Sequence, residues 1–165
     1  MKIMHKVLPI QSKMQVTFDD VTDQVKQFIK ESGVQNGIVT VFSQHTSCSV
    51  FIQEDSEGTT YKGIPYILQD TLNCLEKIIP TCEYEGQYLH PCVNHIERAQ
   101  ELRGEEKFWG LNTDGHIKSS VLGRSETIPV VDGEMTLGEF GRIYFADFDK
   151  TRARERQVRI HIMGE

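Results

Sequence analysis

Asp132-Gly133 sits between two apolar runs, Thr127-Ile128-Pro129-Val130-Val131 and Glu134-Met135-Thr136-Leu137. A two-residue turn of this kind needs positive φ at both positions. Asp-Gly supplies that cheaply, so the pair predicts a β-hairpin. Two further segments alternate apolar and polar residues, Arg142 to Phe148 and Gln157 to Met163, and read as half-exposed strands. Upstream, Gly37-Ile38-Val39-Thr40-Val41-Phe42 is β-branched and apolar, which fits a buried strand with Val50-Phe51-Ile52 as its neighbour. Residues 1–18 read as strands broken at Pro9.

Two segments have the period of a helix instead. Val21, Val25, Phe28 and Ile29 recur at helical spacing, with Asp19 or Asp20 placed to accept the open amides and Gly33 to end the helix. Residues 63–79 carry a wide apolar face (Ile64, Ile67, Leu68, Leu72, Leu75, Ile78, Ile79) and stop at Pro80. Residues 81–112 are irregular; the charged run from Glu97 to Lys107 reads as a short exposed helix or a loop. Residues 114–121 read as a short helix capped by Thr113 or Asp114. The expected fold is α+β: a single domain over residues 1–165, mostly antiparallel β-sheet with two main helices packed on it.

The net charge of -6 argues against nucleic-acid binding, which draws on a positive surface. A local basic run, Lys150, Arg152, Arg154, Arg156 and Arg159, reads as a solvated strand approach. No apolar run reaches the roughly 20 residues of a membrane helix. The N-terminus lacks a signal-peptide pattern, and none of Cys48, Cys74, Cys82 and Cys92 forms a CxxC pair. A cytoplasmic protein with free thiols is the expectation.

Site chemistry concentrates in two stretches. Gln44-His45-Thr46-Ser47-Cys48-Ser49 places an imidazole and hydroxyls at a strand-to-strand corner, and Glu54-Asp55 closes it. Asp114-Gly115-His116-Ile117-Lys118-Ser119-Ser120 is the second. His45, His90 and His116 form a candidate metal triad for zinc or magnesium, with His95 as a spare; neutral imidazole ligates transition metals, and three leave an open position. His5 and His161 read as structural. Ser47, Ser49, Ser125, Lys118 and Arg124 have the chemistry that holds phosphate, and Asp114 reads as a substrate contact, as a carboxylate that orients His116 or shares its metal, or as a helix cap. Glu54 reads as a base or magnesium ligand. Cys48 lies three residues after His45, but nothing there lowers a thiol pKa.

The order of these motifs resembles a known family. His45-Thr46-Ser47 running into Ile52-Gln53-Glu54, then Tyr88-Leu89-His90, Asn112-Thr113-Asp114-Gly115-His116-Ile117-Lys118-Ser119-Ser120, Leu122 to Val130, Gly133 to Gly138 and Ile143 to Asp149 are similar to the YjbQ-like, or UPF0047, proteins. The resemblance covers roughly residues 5 to 164. It implies a small cytoplasmic α+β protein assembling as a homotrimer and binding a small phosphorylated metabolite. It also implies an enzyme of the secondary thiamine-phosphate synthase type, a transferase that releases pyrophosphate; read with the residues above, His45, His116 and Glu54 are the catalytic candidates and a divalent metal would neutralise the leaving group. The alternatives are a non-catalytic protein binding a metal or a phosphometabolite, and a metal-dependent hydrolase. Trimer formation would cover the edges of strands such as Ile143 to Phe148. The chain departs from the family pattern at Phe140-Gly141, where a Trp-Gln pair is usual, and in a longer segment from about Asn94 to Gly110.

Overall fold

The computed structural model describes all 165 residues. Its elements run β1 (Lys2–Gln11), β2 (Thr17–Asp20), α1 (Thr22–Ser32), β3 (Gly37–Ser43), β4 (Cys48–Glu54), α2 (Tyr66–Ile78), α3 (Val93–Arg103), α4 (Thr113–Leu122), β5 (Ser125–Val131), β6 (Glu134–Met135), β7 (Gly141–Asp147) and β8 (Glu155–Gly164). A single 3₁₀ turn spans Lys107–Gly110. The strands make two antiparallel sheets, one of five in the order β1-β8-β3-β5-β6 and one of three in the order β2-β7-β4. The fold is thus α+β as expected, with α3 and α4 beside the two main helices α1 and α2.

The hairpin forms at Asp132-Gly133, whose φ angles are 52° and 78°. Its second strand is only two residues long, because the chain leaves the sheet after Met135. Asp20 supplies the oxygen at the start of α1, accepting the Thr22 amide at 2.9 Å. Gly33 closes α1 at φ 64°. The charged run is helical as α3 and ends at Gly104, also at φ 64°.

Three strand expectations are corrected. β1 runs straight through Pro9, which lies opposite Gln157. β1 is an edge strand, and an edge tolerates the missing N–H. Val50 to Ile52 does not pair with β3: β4 pairs with β7, and β3 lies between β8 and β5. The His45 corner therefore carries the chain from one sheet to the other. Finally, β7 is not a half-exposed edge. It is the central strand of its sheet and buried from Ile143 onward.

The reason is a layered core. Ile143 and Phe145 on one face of β7 join Val50, α1 (Val25, Phe28, Ile29) and the inner face of the large sheet in one cluster. Tyr144, Ala146 and Phe148 on its other side join Phe51 and α2 (Leu68, Leu75) in a second. Each such large side chain, fully buried, is worth about 1.5–3 kcal/mol. Apolar residues on both sides of a strand can look like simple alternation when tyrosine, alanine and arginine take turns. Only the second layer tells the two cases apart.

α4 is drawn tightly against the small sheet. Ser119 Oγ donates to the Cys48 carbonyl at 2.5 Å, and Ser49 Oγ donates to the Ser119 carbonyl at 3.4 Å. A Cβ on Gly115 would lie 3.2 Å from the Phe148 carbonyl, so glycine permits the close approach. This packing fixes where His116 stands.

An imidazole and arginine cleft as the candidate functional site

The first turn of α4, the first turn of α3 and the loop before it bring three imidazoles together. The His90 and His95 ring centres are 4.9 Å apart, and those of His90 and His116 are 6.1 Å apart. Thr113 ties the two elements, its hydroxyl donating to the His90 carbonyl. The rings line one side of a cleft of about 580 Å³, and Arg103, Glu105, Trp109, Asn112 and Arg154 line the rest.

The far wall is braced by charge. Arg154 pairs with the buried Asp149 at 3.0 Å. Asp149 also accepts the Asn112 amide at 3.1 Å and the Thr151 amide and hydroxyl at 3.0 and 2.6 Å. Burial would raise this carboxyl, but those bonds and Arg154 hold it below the usual carboxylate range. Arg152 lies 4.1 Å over the Trp109 ring and bonds Glu105 at 3.1 Å, while Arg103 reaches Glu105 at 3.2 Å. Three guanidiniums (Arg103, Arg152, Arg154) thus meet two carboxylates (Glu105, Asp149), leaving one positive charge in excess in a chain whose net charge is -6. Burial lowers the His90 pKa, and the neighbouring His95 and His116 lower it further. Neutral imidazoles can each donate one N–H and accept at the other nitrogen.

The structure brings His90 and His116 into this cleft with the spare His95, but not His45. The His45 ring is taken up in the corner, its Nε2 accepting the Gln157 backbone amide at 3.1 Å. Burial, and then Arg156, lower its pKa. No group of three or more His, Cys, Asp or Glu side chains is arranged to hold a metal ion, so the residues as placed do not fit the expected zinc or magnesium triad.

Ser47 is buried in a second network, accepting from Arg156 at 3.1 Å and donating to Asp147 at 3.4 Å; Arg156 and Asp147 pair at 2.7 Å. The basic run from Lys150 to Arg159 is therefore largely folded inward rather than solvated. Lys118 is 1% exposed, bonded to Glu76 at 2.5 Å and Asp114 at 3.0 Å. Asp114 is buried beside it, with Lys150 at 4.0 Å. Both sit on the face of α4 away from the imidazoles, spent on each other. Glu54, Arg124 and Ser125 are exposed and line no part of the cleft. His5 and His161 face each other across β1 and β8. The Cys48 thiol is buried and pushed well above its ordinary pKa, chiefly by desolvation.

Sequence reasoning missed Arg103, Trp109, Asn112 and Arg154. One signal was available: Asp147-Phe148-Asp149 followed by Arg152, Arg154 and Arg156 at every second position. Acids at one side of a short connection and arginines at the other point to ion pairs inside rather than charges in water.

Comparison with known proteins bears on these features. The family model described as UPF0047 protein YjbQ-like matches residues 6–165. A UPF0047 protein of Methanothermobacter thermautotrophicus is 28% identical over 165 residues, covering 100% of this chain and 95% of its own. One from Methanocaldococcus jannaschii is 33% identical over 141 residues, covering 86% and 82%. Among solved structures, an uncharacterised conserved protein of the YjbQ/UPF0047 family from Clostridium acetobutylicum superposes with a TM-score of 0.70 at 29% identity, covering 97% of this chain and 99% of that one. These relatives carry only the family name, and none brings a transferase activity. The thiamine-phosphate synthase reading and the metal-dependent alternatives fall with that finding and with the missing metal geometry.

Proposed function

The chain belongs to the UPF0047 YjbQ-like family, and from that premise we propose that it binds a small phosphorylated metabolite in the cleft of His90, His95, His116, Arg103 and Arg154. One observation carries the reading: three imidazoles and two guanidiniums line one concavity with an excess of positive charge, in a chain that is acidic elsewhere. Phosphate oxygens are acceptors only, and arginine and imidazole donors complement them. The volume lies within the usual range for small-ligand sites, about 300–1,000 Å³.

Trp109 is the only tryptophan and lines the cleft, so its fluorescence reports occupancy. Titration with inorganic pyrophosphate and with glycerol phosphate tests the reading, with acetate and succinate as non-phosphate anions. The phosphates are expected to shift Trp109 emission saturably. Arg103→Ala and His90→Ala change exposed residues, and each should weaken binding by about tenfold, the worth of a charge-assisted hydrogen bond. No saturable response to either phosphate, or equal binding by the wild type and both variants, would refute it.

Assembly as a homotrimer belongs to the same reading. It is supported by the outer face of the large sheet, where Ile3, Val7, Ile38 and Val131 are exposed together. A cytoplasmic setting is favoured by four unpaired cysteines. No helix is long and apolar enough to cross a membrane. Sedimentation of Ile38→Glu against the wild type tests the assembly; a wild type that stays monomeric at micromolar concentration overturns it.

A further inference from the structure

A second concavity lies on the far side of the molecule from the imidazoles, between α1 and the segment after the hairpin turn. Its volume is about 470 Å³. The floor is apolar: Ile29, fully buried, with Met135 and Leu137, all packed on the main core. Lys26 and Lys30, one helical turn apart on α1, form one rim. Glu134 and Glu139 form the other. Arg142 closes one end and is committed to Asp55 at 3.1 Å.

The four rim charges have no partners. None of Lys26, Lys30, Glu134 and Glu139 makes a side-chain hydrogen bond or an ion pair within 4.0 Å, either across the groove or elsewhere; every ion pair of the chain uses other residues. Two cations therefore oppose two carboxylates across an apolar floor without bridging it.

We propose that this groove binds a small zwitterion with an apolar body, of the size of a dipeptide with aliphatic side chains. Its carboxylate meets Lys26 and Lys30; its ammonium meets Glu134 and Glu139; its side chains cover Ile29, Met135 and Leu137. A purely anionic ligand would leave the two glutamates opposed to it, and a purely cationic one would leave the two lysines. Only a ligand with both signs uses both rims. The volume exceeds what a single amino acid fills and suits two residues.

The test uses the full chain and four probes: Leu-Leu, N-acetyl-Leu-Leu, Leu-Leu amide and free leucine, followed by isothermal titration. Leu-Leu is expected to bind most tightly. Removing its ammonium or its carboxylate should each weaken binding by about fivefold, a modest figure because both rims are open to solvent. Lys26→Ala/Lys30→Ala alters only exposed positions and should weaken Leu-Leu while leaving the affinity of Leu-Leu amide unchanged. Glu134→Gln/Glu139→Gln should weaken both Leu-Leu and Leu-Leu amide while sparing N-acetyl-Leu-Leu. The proposal is overturned if Leu-Leu does not bind, if the capped forms bind as well as the free dipeptide, or if both double variants match the wild type.

Discussion

Replacing Lys118 by methionine separates a structural lysine from a ligand-binding one. The side chain is 1% exposed and bonds Glu76 at 2.5 Å and Asp114 at 3.0 Å. Methionine keeps the length of the stem but removes the charge, which leaves the buried Asp114 with only Lys150 at 4.0 Å. Breaking one side of a buried pair typically costs about 3–5 kcal/mol. Lys150 remains in place and Glu76 is a third exposed, so the lower end, about 3 kcal/mol, applies here. For a chain of this length each kcal/mol moves the midpoint by about 2–4 °C, giving a fall of roughly 6–12 °C. Urea unfolding should show a lower midpoint at an unchanged slope. Pairing the change with Asp114→Asn should cost less than the sum of the two single changes by about 1 kcal/mol or more, because the two residues share one interaction. Affinity for pyrophosphate at the imidazole cleft should stay within a factor of about two, since the ammonium points away from it. A Lys118→Met protein as stable as the wild type, or one that folds normally and loses pyrophosphate binding, would refute the reasoning.

His45 should titrate below the ordinary 6.5, because burial and Arg156 oppose its charged form and its Nε2 must stay unprotonated to accept the Gln157 amide. The unfolded chain takes up that proton near 6.5, so this residue lowers stability as pH falls below that value and ceases to add to the loss below its folded pKa. An NMR titration of the ring with a midpoint at or above 6.5 would count against this. Gly37→Ala would place a Cβ 2.1 Å from the Met163 carbonyl and should destabilise by about 1–3 kcal/mol by forcing β3 from β8; an unfolding midpoint equal to the wild type would contradict the packing. Leu68→Ala empties a fully buried site between α2 and the small sheet and should cost about 2–5 kcal/mol in chemical denaturation.

Local chemistry was enough to read much of this protein. Asp132-Gly133 announced its hairpin, Gly33 its helix end and Pro80 the close of α2, because turns and caps are decided by a residue and its immediate neighbours. The alternation of β8 was legible because one of its faces does meet water. The order of the motifs along the chain is itself enough to place it in its family. What pairs with what was not legible. β4 beside β7 rather than β3, β7 as a strand buried on both sides, and Pro9 inside an edge strand all depend on which surfaces meet, and that is a property of the assembled layers.

The candidate site divides the same way. Histidine, lysine and serine could be named as chemistry-bearing types, but a residue type does not say whether a partner has already consumed it. Lys118, Asp114 and Ser47 are spent on buried ion pairs and hydrogen bonds, His45 on the backbone of β8, while His95 and Arg103 from α3, Trp109 from the following turn and Arg154 from the approach to β8 gain their place only when those segments meet α4. Sequence determines which groups exist and how the chain turns locally. The tertiary structure decides which of those groups remain free to meet a ligand, because burial and pairing are settled only when distant segments come into contact.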